Sequence, residues 1–185
     1  MVIIKTNRLI LRPVELSDAK AIFHYRSNFD DNKYQGWIPY SINDVKEFIK
    51  IKITPFFNTE NTWFQFAITT IHDNRLIGDV GVHFFSNGNQ VEIGCTLDKD
   101  FQHNGYATEA IRGLIDHLIF KLKKHRITAS VDPRNVASIR LIERMGFKKE
   151  AYFKQRIFIR GEWTDDVIYS ILKEDWIIES TKTNT

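Results

Sequence analysis

Apolar and polar positions change period several times along this 185-residue chain, and each change marks an element. "RLILRPV" alternates and reads as a first strand with Leu9 and Leu11 on one face. Ser17 is placed to cap a helix from about Asp18 to Ser27. Ser41 starts a second helix, "SINDVKEFIKI", with Asp44 as the acidic partner of a capping box and Pro55 as its stop. "TWFQFAITTI" and "RLIGDVGVHFF" flank "HDN" as a hairpin, and "NGN" turns the chain into a third strand, "QVEIGCTL". Ala107, Ala110, Ile111, Leu114, Ile115, Leu118, Ile119 and Leu122 then recur at spacings of three and four, one apolar helical stripe. "RITASV" reads as a strand, "DPRN" as a turn, and "VASIRLIERM" as a helix stopped by Gly146. Two strands around "RGEW" close a single domain spanning 1–178, and the polar "ESTKTNT", 179–185, reads as a frayed tail.

The order is β-α-α-β-β-β-α-β-α-β-β. A helical crossover joins "VEIGCTL" to "RITASV", so those two strands are predicted to be parallel, with a right-handed connection. Their neighbours are hairpin-connected and antiparallel. The fold class is α/β, more fully an α+β mixed sheet, with helices on both faces.

Composition narrows the functional classes. At 43% hydrophobic and 26% charged, the chain is ordinary for a soluble globular protein. A net charge of +3 is too small to argue for nucleic acid. The single cysteine, Cys95, excludes a disulfide framework and fits a reducing compartment. "MVIIKTNRLILRP" is broken by charge too early for a signal peptide, and no apolar run reaches the ~18 residues of a membrane span. These features predict a cytoplasmic protein, monomer or homodimer. The histidines lie at no metal-ligand spacing with acids or Cys95, so no metal is expected.

Candidate chemistry begins where the third meander strand meets the long helix. Gln102, His103, Asn104, Gly105, Tyr106, Ala107 and Thr108 lead into a helix N-terminus, whose unpaired N–H groups and partial positive charge suit a phosphate. A plain tight turn is the competing reading. Neither GxxxxGK[ST] nor GxGxxG is present. However, Gln102-x-x-Gly105-x-Ala107 directly after a strand resembles the Q/R-x-x-G-x-G/A pyrophosphate loop of the GNAT N-acetyltransferase superfamily. The similarity extends over almost the whole chain. "TNRLILRPVELSDA", "VEIGCTLDKDFQHNGYATEA", "NVASIRLIERMGFKKE" and "GEWTDDVIYSILKEDW" resemble, in order, segments of the branch containing ribosomal-protein alanine acetyltransferases. One departure is His103, where many relatives have glycine.

The resemblance implies a GNAT fold, acetyl-CoA as co-substrate and an amine acceptor, either a protein N-terminus, a polyamine or another small amine. It implies that the acylated arm enters between two splayed parallel strands near Leu97 and Val131. The arm would meet the backbone of Cys95, Thr96 and Leu97, and the pyrophosphate would meet the amides from His103 to Thr108. A backbone N–H at or beside Cys95 is the implied oxyanion donor, which leaves the thiol as a small buried hydrophobe. Asn135 and Ser138 are an N-cap and a first-turn residue by position. By resemblance, Asn135 contacts the cofactor arm and Ser138 lies near the sulfur, where its hydroxyl can donate to the leaving thiolate.

An acceptor amine with pKa ~10 is only ~0.1% neutral at pH 7, so a base is needed. Glu92, the one acid in "VEIGC", is the candidate, against an ordinary cross-strand pair; His83 is the weaker one. Trp37 and Tyr40, in the loop "YQGWIPYS", read either as acceptor-pocket residues or as a lid or core anchor. The basic run "KLKKHR", Lys121 to Arg126, reads as a solvated helix end, with contact to a CoA phosphate as the alternative. Two other functional classes stand beside the enzyme: a non-catalytic acyl-CoA-binding sensor, and a nucleic-acid module resting on that basic run alone.

Overall fold

The computed structural model describes residues 2–183. One sheet carries eight strands: β1 (Ile4–Lys5), β2 (Leu9–Pro13), β3 (Thr62–Thr70), β4 (Leu76–Phe84), β5 (Gln90–Leu97), β6 (Arg126–Val131), β7 (Lys148–Ile159) and β8 (Glu162–Leu172). Their order is β1-β2-β3-β4-β5-β6-β8-β7. Among the described residues β5 and β6 are the one parallel pair; all other neighbours are antiparallel. The helices are α1 (Ala19–Arg26), α2 (Ile42–Glu47), α3 (Tyr106–Asp116), α4 (Val136–Arg144) and α5 (Lys173–Thr183). No helix of the described residues is long and apolar enough to cross a membrane.

The predicted order holds, with β1 and α5 added. The two-residue β1 is too short to show alternation. Helix α5 runs on through positions 179–183 of the segment expected to fray, and 184 and 185 lie outside the described residues. Trp176 anchors α5: it is 1% exposed and its Nε1 donates to Asp116 Oδ1 at the end of α3, 2.8 Å away.

The start of α1 also needs correction. Ser17 does not cap it; it lies in a tight 3-10 turn, Leu16–Asp18, and the helix begins at Ala19. Asp18 fixes this entry instead. Its carboxylate accepts the Glu15 N–H at 2.8 Å and two bonds from Arg12 at 2.7 Å each. Asp18 is thus the N3 residue of a capping box whose N-cap is Glu15. At α2 the capping box is as expected: the Ser41 hydroxyl accepts the Asp44 N–H at 3.2 Å, and Asp44 accepts the Ser41 N–H at 3.1 Å. Beyond α2 a wider π-helical turn, Phe48–Lys52, ends before Pro55.

Strand alternation divides the sheet into two faces. Val80, Val82, Phe84, Val91 and Ile93 face α3 and pack with its stripe, of which Ala110, Leu114, Ile115, Leu118 and Ile119 are fully buried. The opposite face carries α1 and α2, packed through Ala19, Ile22, Tyr25 and Val45. Between this second layer and the sheet lies a buried ion pair. Asp79 accepts from Arg26 Nε at 2.8 Å and Nη2 at 2.5 Å, and also from Tyr25 Oη and Gln65 Nε2. Burial and the Asp79 charge push the Tyr25 hydroxyl well above its ordinary pKa, so it remains a donor.

Removing Asp79 strands a buried guanidinium. Asp79→Ala is expected to cost about 3–5 kcal/mol, read as a lower urea midpoint at constant slope. A loss below about 1 kcal/mol, the level of an exposed pair, would mean that Arg26 is not held in a dry site.

Candidate active site

β5 and β6 pair only at Gln90–Arg126, Val91–Ile127 and Glu92–Thr128. Past that register β5 stays bonded to β4 as far as Leu97, and β6 stays bonded to β8 as far as Val131. Their facing edges therefore part, and the V between them opens into a groove of about 470 Å³. Cys95, Thr96 and Leu97 form one wall. Asn135, Ala137, Ser138 and Leu141, from the start of α4, form the other, and Gln102, His103, Gly105, Tyr106, Ala107 and Thr108 close one end. Every sequence-predicted cofactor residue thus lines one groove except Asn104. That residue's side chain donates to the Gln102 carbonyl at 2.8 Å, and its own carbonyl accepts from Arg8 at 3.0 Å.

The closing loop uses the left-handed region twice, at His103 (φ 63°) and Gly105 (φ 78°). Glycine enters that region freely, whereas a side chain costs about 1–2 kcal/mol there. The structure thereby explains the glycine that many relatives carry where this chain has His103. The first amide bonded within α3 is that of Glu109, which donates to the Gly105 carbonyl at 3.0 Å. The amides ahead of it lead the helix, at the edge of the groove.

The loop is braced by residues that sequence reasoning missed. Glu109 accepts from Thr6 Oγ1 at 2.6 Å, from the Arg8 N–H at 2.7 Å and from Arg8 Nε at 2.6 Å. The Arg8 guanidinium also lies 4.4 Å from the centre of the Tyr106 ring. Only the chain's topology brings a residue 101 positions away to this helix, so no local pattern signals the clamp.

One observation fits an acyl-CoA arm in the groove. The β5 edge beyond Glu92 has no strand beside it on the β6 side, as an extended polar arm requires. Asn135 takes its capping role, its Oδ1 accepting the Ser138 N–H at 3.2 Å, which points the first turn of α4 into the groove. Burial pushes the Cys95 thiol up to about 12, with the Asp79 charge adding to it. A thiol held so high is protonated at neutral pH and is a poor nucleophile.

On the α1/α2 face lies a second cleft, of about 710 Å³, lined by Arg26, Gln35, Trp37, Phe48, Trp63, Gln65, Gly81 and Gly94 among others. Trp37 stacks on Phe48 with ring centres 4.5 Å apart. Gln35 lines both clefts, and Gly94 and Cys95 are chain neighbours on opposite sides of β5, so the two clefts meet at this strand. Tyr40 does not join them. It is 91% exposed and lines neither cleft, and its backbone N–H donates to the Asp44 carboxylate at 2.8 Å.

Glu92 lines neither cleft. It occupies the last paired register of β5 with β6, opposite His83 of β4, on the same strand face as Gly94. Burial raises its pKa, the Asp166 charge adds to this, and Arg156 opposes it. Asp166 is itself held by Ser130 Oγ at 2.7 Å and Arg156 Nη1 at 2.8 Å. His83 stacks on Trp63 with ring centres 5.0 Å apart, and burial lowers its pKa. The basic run departs from its expected solvated face at Lys124, which is 3% exposed and donates to Asn58 Oδ1 and the Gly88 carbonyl at 2.5 Å each. Among the described residues no group of three or more His, Cys, Asp or Glu side chains is placed to hold a metal ion.

The family model described as an acetyltransferase (GNAT) domain matches residues 8–148. The chain belongs to the GNAT acetyltransferase family. It is 29% identical over 173 residues to an uncharacterized N-acetyltransferase of Bacillus subtilis (strain 168), covering 94% of this chain and 98% of that one. It is 25% identical over 181 residues to the ribosomal protein uS5-alanine N-acetyltransferase of Escherichia coli (strain K12), covering 92% and 91%. A GNAT-family acetyltransferase structure from Bacillus anthracis superposes with a TM-score of 0.83 at 30% identity, covering 94% of this chain and 99% of the other. GNAT relatives carrying the name N-acetyltransferase thus match this chain nearly end to end, and the protein is an enzyme of that class.

If the groove end at Gly105 holds a pyrophosphate, Gly105→Glu places a carboxylate against two phosphates and a side chain at a left-handed φ. The variant is expected to bind acetyl-CoA at least about 100-fold more weakly, about 3 kcal/mol, with its fold retained. Calorimetry on the folded variant checks this, and parental affinity would leave the loop as a turn only.

Proposed function

We propose that this enzyme transfers an acetyl group from acetyl-CoA directly to a primary amine, with both substrates bound at once. The supporting observation is the parting of β5 and β6, which leaves one groove on the α3/α4 side and a separate cleft behind it, meeting at Gly94 and Cys95. Acetyl-CoA supplies the activated acyl group; at neutral pH thioester and ammonium become amide, free thiol and one proton, which the base passes to solvent.

The chain's residues divide the remaining work. The free β5 edge at Cys95–Leu97 orients the arm, and a backbone N–H at or beside Cys95 stabilises charge on the carbonyl oxygen. The amides from His103 to Thr108 hold the pyrophosphate. Asn135 sets the first turn of α4, and Ser138 Oγ donates to the leaving sulfur. Glu92 receives the amine proton through intervening water, since it lines neither cleft. The Cys95 thiol takes no part. Trp37 shapes the acceptor cleft, and the acceptor is a protein N-terminus, a polyamine or another small amine.

An acetyl-CoA consumption screen over peptides, polyamines and aminoglycosides tests this directly. Thiol release with at least one class is expected. Tight acetyl-CoA binding without thiol release for any amine would instead favour a sensor.

Glu92 generates a pH prediction whose sign follows from its surroundings. A base works deprotonated, so kcat/KM falls as pH drops through the raised pKa of Glu92, above the ordinary carboxylate range. Glu92→Gln removes that acid limb. Asp166→Asn takes away a neighbouring negative charge and moves the limb to lower pH. An identical pH profile in Glu92→Gln would exclude Glu92 as the base.

A further inference from the structure

Gly94 stands in the middle of β5, where glycine weakens a strand. Its φ is not in the left-handed region, and a Cβ built on it meets no atom within 4 Å. Neither backbone geometry nor internal packing therefore calls for glycine here. Its partner across β4, Gly81, differs: a Cβ there would lie 2.8 Å from Gln65 Oε1 and 3.2 Å from the Trp63 ring. Gly81 is explained by the protein itself, whereas at Gly94 the protein leaves open space.

The open space at Gly94 lies in the acceptor cleft, beside Trp63, Gln65 and Gly81. On the same strand face its neighbours Glu92 and Thr96 both carry side chains, so along the strand the hollow is about one residue long, and across the sheet it continues over Gly81. The next residue, Cys95, lines the acyl-CoA groove. The hollow thus sits next to the point where an acceptor nitrogen would meet the acyl carbon.

We infer that the hollow left by Gly94 receives the substituent on the amine-bearing carbon, making Gly94 the specificity-determining position for α-branched primary amines. This rests on acetyl transfer at the junction of the two clefts. An unbranched amine leaves the hollow empty, whereas an amine on a substituted carbon fills it with apolar surface against Trp63 and the glycine floor. A side chain at position 94 would occupy the same volume and exclude the branch.

Matched pairs of amines test this: benzylamine with α-methylbenzylamine, and a glycyl peptide with its alanyl counterpart. The parent is expected to acetylate the branched member of at least one pair. Gly94→Val is expected to lower kcat/KM for that member at least tenfold relative to its unbranched partner, with Gly94→Ala in between. The same variants should keep the parental melting temperature or exceed it. A lower melting temperature in both variants would make Gly94 a structural requirement and overturn the inference. So would a parent active only on unbranched amines, or a Gly94→Val profile with an unchanged ratio. A parent that binds acetyl-CoA but acetylates no amine contradicts acetyl transfer itself, and this inference with it.

Discussion

The pairing of β5 with β6 stops at Glu92 and Thr128, and the site is a consequence of that stop. Backbone N–H and C=O groups inside a sheet require partners. Here each strand is already bonded on its far side, β5 to β4 and β6 to β8, so neither can swing across to close the gap. The two free edges stay open without dismantling the sheet. Because the connection from β5 to β6 runs through α3, and β6 leads into α4, both helices begin beside the opening. A strand edge, two helix starts and a left-handed loop thus come together at the same place.

Distant parts of the chain hold the walls. Arg8 and Thr6, before β2, grip Glu109 and brace the 102–105 loop. At the far end of the sheet, Arg160 in the β7–β8 turn donates to the Gln35 carbonyl at 3.1 Å and to the Lys33 carbonyl. This secures the 33–35 segment that both clefts share through Gln35. The Arg26–Asp79 pair fixes the floor of the cleft on the α1/α2 face. Each brace is a charge-assisted bond, stronger and more directional than apolar contact. The groove they frame also carries Asp30, Asp31, Lys33 and Arg144 on its lining.

Long periodic segments of the fold were legible in the sequence. The α3 stripe, the Ser41–Asp44 box and the three-strand meander each repeat a pattern over enough residues to be read, and their order implied the parallel pair. Short or tertiary features were not. Two residues of β1 carry no period, α5 is held through the buried Trp176, and the entry to α1 is fixed by Asp18 with its partner Arg12 rather than by Ser17. The candidate site divides in the same way. Residues from Cys95 to Thr108 follow one another in a motif and were readable, and Asn135 and Ser138 follow a turn signal. Arg8, Asp166 and the meaning of Gly94 depend on what folding places beside them. Tyr40 reads in sequence as a pocket residue or as a lid or core anchor, and the folded chain leaves it exposed. Lys124 sits in a run that reads as solvated, and loops far away in sequence bury it.

The most direct measurement is an amide NMR titration of the 15N-labelled protein with acetyl-CoA. If the parted edges and the α3 N-terminus form the binding site, the amides of Ile93–Leu97 and His103–Thr108 shift together and saturably. Those of Lys121–Arg126, which line neither cleft, stay in place. Saturable shifts confined to the basic run, with β5 and the loop unmoved, would contradict the site and the function built on it.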